Sequence, residues 1–284
     1  MTTLNRNASL VPEAEGSAAQ RAIAYVPAAF DASSAVEILV HLHGHNIGQR
    51  QRSAKTSAPG TVRDVLLDKI ASQVVASGRR MIVLLPQGTP SSGFGPTSFS
   101  DFDIGKFIDE ALAALVTAGV FSAKPGVGPV VLSGHSGGGG ALSVLLSQQG
   151  TPRIPATTEA EFLYEAINGT NELATQTAFL TGKLNAALAA IKAAADDAAK
   201  SAYLATSFRF AGFYDSEYYV PFYTQLKHAL DAWFAQHAAA LGGTKSAAYT
   251  TLRAQYAIFN PSPPVAHDEQ VGHDHLLTSL RMLP

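Results

Sequence analysis

Val130-Val131-Leu132-Ser133-Gly134-His135-Ser136-Gly137-Gly138-Gly139-Gly140 places a serine between glycines, after an apolar run and before a second one, Ala141, Leu142, Val144, Leu145 and Leu146. Gly-x-Ser-x-Gly on a strand–turn–helix is the pattern that lifts a serine hydroxyl to the edge of a sheet as a nucleophile. Gly134 and Gly138 allow the tight turn and the close approach of helix to strand, and the helix N-terminus then underlies a developing negative charge. A serine needs a base to take its proton and an acid to orient that base. For the base, three histidines compete in Ala266-His267-Asp268-Glu269-Gln270-Val271-Gly272-His273-Asp274-His275. For the acid, Phe208–Tyr214 is a strand that runs directly into Asp215, with Glu217 the nearby alternative.

Elements able to position these groups follow from the apolar pattern. Short runs rich in Val, Ile and Leu at Val36–His41, Met81–Leu85 and Val127–Leu132 each end in a Gly- or Pro-containing turn, as strands buried on both faces do. Arg21–Val26 is a further strand stopped by Pro27, and Phe162–Ile167, Phe208–Tyr214 and Ala254–Phe259 complete the set. Between them, Thr61–Ser77 and Asp103–Ala118 carry apolar residues at helical spacing, the latter with Asp101 or Asp103 as cap. An Ala-rich helix is expected over Thr175–Leu204, either a crossover or a helical insertion at about 172–205 over the site. Pro221–Leu241 and His275–Met282 are the last helices. Strand–helix alternation implies an α/β fold with a doubly wound, mostly parallel sheet and flanking helices. One domain over 19–284, behind a loose arm at 1–18, is the expected organisation.

His41-Leu42-His43-Gly44-His45-Asn46 after the first long strand, followed two strands later by Gly-His-Ser-Gly-Gly, resembles the α/β-hydrolase superfamily. Tyr25-Val26-Pro27 with Leu42-His43-Gly44, Leu85-Pro86-Gln87-Gly88, and Asp103-Ile104 with Phe107-Ile108 are similar to the esterase branch that includes polyhydroxyalkanoate depolymerases and feruloyl esterases. The resemblance spans essentially the whole chain. It implies a Ser-His-Asp triad of Ser136, His273 and Asp215, with His267 and His275 as alternatives for the base. It also implies an oxyanion hole from the backbone N–H groups of Gly137 and His45, and an acyl-enzyme on Ser136 formed from a small-molecule or polymer carboxylic ester. No cofactor is implied.

Two other classes are open from the residues alone. A zinc-dependent metallohydrolase would use His41 and His43, which share a strand face, with the His267–His275 cluster. A non-catalytic binding module on the same scaffold is the third reading. Phe94, Phe99, Phe102, Tyr214, Tyr218 and Tyr219 are either an aromatic acyl pocket or core, and Trp233 reads as packing.

The 284 residues contain no cysteine, which excludes disulfides, thiolate metal sites and a cysteine nucleophile. A formal charge of −2 gives no electrostatic reason for a nucleic-acid or acidic-membrane partner. Met1–Asn7 lacks the apolar core of a secretory signal, so a cytoplasmic location is the default expectation. The oligomeric state is not legible.

Overall fold

A computed structural model of the chain describes residues 21–27, 30, 34–45, 67–88, 92, 94, 102–147 and 153–284. The expected arm at 1–18, the first turns of the helix expected from Thr61, Asp101 and Phe99 lie outside the described residues. Seven strands, β1 (Arg21–Tyr25), β2 (Val36–Leu42), β3 (Met81–Gln87), β4 (Val127–His135), β5 (Thr158–Tyr164), β6 (Arg209–Phe213) and β7 (Tyr256–Phe259), form one sheet in the order β1-β3-β2-β4-β5-β6-β7. All neighbours are parallel except β1, which runs antiparallel to β3. This is the mostly parallel, doubly wound architecture of the α/β-hydrolase type.

The helices are α1 (Leu67–Ala76), α2 (Ile104–Thr117), α3 (Gly137–Ser147), α4 (Thr170–Ala193), α5 (Asp197–Thr206), α6 (Val220–His237), α7 (Ala247–Ala254) and α8 (Leu276–Leu280). Strand side chains alternate in direction, so the sheet supplies two cores. On one face Val36, Ile38, Val40 and Leu42 of β2 meet Ile104, Ile108 and Leu112 of α2 and Leu180 and Leu184 of α4. On the other, Leu39, Val83 and Val131 meet Ile70 and Val74 of α1 and Leu276 and Leu280 of α8. Each such aliphatic side chain contributes about 1.5–3 kcal/mol when fully buried.

Asp103 caps α2, its carboxylate accepting from Lys106 N at 2.9 Å. The Ala-rich stretch is two helices, not one. Asp196 accepts from Ala199 N at 2.8 Å and so starts α5 afresh after α4 ends at Ala193. Together they link β5 to its parallel neighbour β6. Helix α7, absent from the sequence reading, is nucleated by Ser246, whose hydroxyl accepts from Tyr249 N. The strand expected over Phe162–Ile167 is shifted: β5 ends at Tyr164, and Glu165 leaves it with φ 46°. Among the described residues no helix is long and apolar enough to cross a membrane.

An ionisable group is buried beside α4 in this core. Glu161 on β5 is 1% exposed and accepts from Gln176 Nε2 at 3.0 Å. Burial pushes its carboxyl up to about 7, against the opposing pull of Gln176 and Lys183. The folded protein therefore holds a proton that the unfolded chain releases near 4.5, and stability falls as pH rises from about 4.5 through 7. Glu161→Gln is expected to raise the melting temperature at pH 8 and change it little at pH 5. Equal effects at both would show that Glu161 does not titrate in this window.

Candidate active site

The carboxyl ends of β2 through β7 converge on one edge of the sheet, where open α/β sheets bind ligands. Ser136 lies between β4 and α3, 7% exposed, with φ 51°. A non-glycine residue in that region costs about 1–3 kcal/mol. Hydrogen bonds hold the turn: Ser136 N donates to Tyr164 O at 3.1 Å, and Ser136 O accepts from Gly139 N at 3.0 Å and Asn168 Nδ2 at 3.0 Å. Close approach explains the glycines. A Cβ on Gly138 would stand 2.1 Å from Leu42 O, and one on Gly139 only 1.9 Å from Ala166 O. Helix α3 can pass over the β2 and β5 ends only without these side chains.

The described residues pair a different carboxylate and histidine from those expected. His267 Nδ1 lies 2.5 Å from Glu165 Oε2. The Glu165 carboxylate is fully buried, and its other oxygen accepts from Asp215 N at 2.8 Å and Ser216 N at 2.6 Å. Burial alone would raise this carboxyl, but the hydrogen bonds from His267 and from the Ser216 and Asp215 backbone outweigh it and hold it below the usual range. It is an anion pinned at both oxygens. Its acceptance from His267 places the imidazole proton on Nδ1 and leaves Nε2 as the lone-pair nitrogen.

Asp215 has another task. Its carboxylate accepts from Val265 N and so ties down the loop that carries His267. Glu217 is exposed. His273 is exposed as well, on backbone that departs from helical angles (φ −98°, ψ 48°), its ring beside His275 at 5.9 Å. His275 is buried and stacked on Phe213 at 4.5 Å. The expected pairing of Asp215 with His273 is thus replaced by Glu165 with His267. The physical reason is that the chain after β5 turns its carboxylate inward, while the side chain after β6 is consumed by a backbone N–H.

Tyr219 and His135 tie His267 to the serine turn. The Tyr219 ring stacks on the His267 ring at 5.3 Å with a 10° interplanar angle. Its hydroxyl bonds the Ser136 side chain and donates to Asn168 Oδ1 at 3.1 Å. Burial pushes Tyr219 up to about 12, so it remains a neutral phenol. His135 Nε2 lies 2.8 Å from His267 O, fastening the backbone of that residue to the strand before Ser136. Sequence reading missed Glu165, Asn168, Tyr219's polar role and His135. The legible signal was an acid interrupting the apolar run Phe162-Leu163-Tyr164-Glu165-Ala166-Ile167.

The His45 side chain closes on Gly137: a Cβ there would stand 2.7 Å from His45 Nε2. His43 shapes the loop before His45, its Nδ1 2.7 Å from Gly44 O and its Nε2 accepting from Gly88 N at 2.9 Å. With both ring nitrogens engaged, His43 has no lone pair for a metal, and His41 Nδ1 is 2.7 Å from Ser133 Oγ. Among the described residues no three His, Cys, Asp or Glu side chains converge as metal ligands. Phe94 packs on His43 at 4.8 Å and on Phe102 at 5.9 Å, a buried wall behind the loop. Tyr214 stacks on Tyr223, and Tyr218, 59% exposed, donates to Asn168 O at 2.6 Å. Trp233 donates to Asn185 Oδ1 at 2.8 Å, joining α6 to α4.

Sheet topology and the turn at Ser136 define a protein of α/β-hydrolase architecture. Comparison with known proteins gives fold likenesses only. No protein-family model matches the chain, and no curated protein matches it. A solved ferulic acid esterase is similar with a TM-score of 0.47 and 13% identity, over 93% of each chain. A putative thioesterase from Silicibacter sp. has a TM-score of 0.46 and 15% identity, over 98% of this chain and 86% of that one. An uncharacterised protein from Capnocytophaga ochracea has a TM-score of 0.47 and 9% identity; the chain covers 59% of its length.

Burial lowers both His43 and His135 to about 4, with His45 and His267 respectively adding to the effect. The unfolded chain takes up these protons near 6.5, so this contribution to stability is complete above about pH 6.5 and is lost as pH falls toward 4. The melting temperature is expected to drop over that interval, less steeply in His135→Asn. A profile unchanged by that substitution would remove His135 from the account.

Proposed function

We propose that the chain is a serine hydrolase that cleaves carboxylic esters through an acyl-enzyme on Ser136, with His267 as general base and Glu165 as the acid that orients it. The observation that carries this is the 2.5 Å contact between His267 Nδ1 and a buried, doubly anchored carboxylate, on a histidine stacked against the tyrosine that bonds Ser136. His267 Nε2 takes the Ser136 proton as Oγ bonds to the ester carbonyl carbon. The proton returns to the leaving alcohol oxygen as the C–O bond breaks. A water attacks the acyl-enzyme by the same route, and the acid and Ser136 are released. Glu165 stabilises the imidazolium in both halves. The Gly137 and His45 backbone N–H groups receive the carbonyl oxygen as it becomes negative.

The ester class is supported by the sequence resemblance carried by Tyr25-Val26-Pro27, Leu42-His43-Gly44 and Leu85-Pro86-Gln87-Gly88. A small, soluble ester suits a serine that is 7% exposed at the floor of the sheet edge better than a polymer does.

Intact-mass spectrometry after fluorophosphonate treatment is expected to show one adduct, mapped to Ser136, and Ser136→Ala is expected to abolish both adduct and ester turnover. Glu165→Gln should lower kcat by about 10⁴-fold, as loss of the orienting carboxylate does. His267→Ala should be at least as damaging, and His273→Ala close to wild type. Asp215→Asn should act chiefly on thermal stability. The reverse order, with His273 and Asp215 the sensitive pair, would sink the assignment of base and acid.

A further inference from the structure

Ser92, on the chain after β3, is fully buried and holds φ at 62°. Its hydroxyl has no hydrogen-bond partner among the described residues. A buried hydroxyl without a partner is destabilising, and left-handed backbone at a non-glycine residue adds a further cost. A Cβ on Gly137 would stand 2.7 Å from Ser92 Oγ and 2.7 Å from His45 Nε2, so both side chains close on the first residue of α3. That is the positive end of an eleven-residue helix, beside the nucleophile turn. A strained, unsatisfied donor held there is what a site for a transient negative oxygen requires.

Resting on the assignment of Ser136 as nucleophile, we propose that Ser92 is a third oxyanion-hole donor. Its O–H donates to the carbonyl oxygen of the scissile ester as that oxygen becomes the alkoxide of the tetrahedral intermediate. The bond is made and released without proton transfer, so the hydroxyl is unchanged at the end of each half-reaction. The Gly137 and His45 N–H groups supply the other two donors. Ser92's hydroxyl, without a partner among the described residues, would then be paired by the reacting substrate, which is how binding energy is confined to the transition state.

Ser92→Ala and Ser92→Gly in the full chain provide the test, glycine being free to keep the left-handed backbone. With p-nitrophenyl acetate, both variants are expected to lose about 10²-fold in kcat with KM little changed. Affinity for an alkyl trifluoromethyl ketone, whose hemiketal oxyanion mimics the intermediate, should fall by a comparable factor. The melting temperature should hold or rise, since an unsatisfied hydroxyl has been removed. Unchanged kcat in either folded variant overturns the proposal. So does a fall in kcat without loss of trifluoromethyl ketone affinity, which would give Ser92 a purely structural part. If the parent protein takes no fluorophosphonate on Ser136, the hydrolase assignment itself fails and Ser92 falls with it. Labelling of Ser136 in parent and variants, with kcat retained, removes Ser92 alone.

Discussion

A carboxylate with no solvent contact must be matched by donors from the protein, and Glu165 is the point around which the site edge is arranged. Its partners come from two different segments: the backbone after β6 at Asp215 and Ser216, and the histidine that follows β7. Each of those segments is an excursion from the sheet that would otherwise have many ways to leave it. The need to satisfy one buried anion fixes where two of them go. Asp215 then extends the chain of constraint by accepting from Val265 N, two residues before His267. A residue chosen from the sequence as the acid thus positions the loop that the acid's partner stands on.

Left-handed backbone at non-glycine residues marks the same edge. Of four such residues among those described, Ser92, Ser136 and Glu165 follow β3, β4 and β5 directly or closely, and the fourth, Asp274, lies in the loop near α8. At about 1–3 kcal/mol apiece, three of them would be a large share of a domain's net stability unless the surroundings over-determine them. For Ser136 and Glu165 the compensation is visible. The Ser136 N–H and C=O have three partners, and Glu165 N donates to Phe213 O at 2.8 Å while its side chain takes three more bonds. Ser92 has no such compensation among the described residues, which sets it apart from the other two.

Most of the fold was legible because it rests on apolar runs and their spacing. The strands Val36–His41, Met81–Leu85 and Val127–Leu132 were read to within a few residues, and Gly-x-Ser-x-Gly located the turn between β4 and α3. The place of Glu165 was not legible for a specific reason. In Phe162–Ile167 the apolar run is interrupted by Glu165 but resumes at Ala166 and Ile167, so it reads as one strand. Its true end is a backbone inversion at Glu165 that no residue type announces, since glutamate is uncommon with positive φ. Asn168, taken as a terminator, instead bridges the Ser136 carbonyl and the Tyr219 hydroxyl. Which of the three late histidines faces a carboxylate is set by tertiary contacts, and it is His267 that meets Glu165. Helix α7 was missed because its start depends on one Ser246 hydroxyl and its apolar content is slight.

The chain's nine histidines show how little residue type fixes role. His41, His43 and His135 are buried and held neutral, and their ring nitrogens bond Ser133, Gly44, Gly88 and the His267 carbonyl. They act as neutral struts that join β2, β3 and β4 to the loops above them. Burial without a carboxylate suppresses charge on a histidine, whereas a carboxylate at hydrogen-bonding distance stabilises the imidazolium. His267 is a half-exposed histidine whose Nδ1 meets the Glu165 carboxylate, and it stands next to His135, which burial holds neutral. Four rings on one edge of a sheet would repel one another if charged. Burial keeps three of them neutral, and the fold so avoids that repulsion.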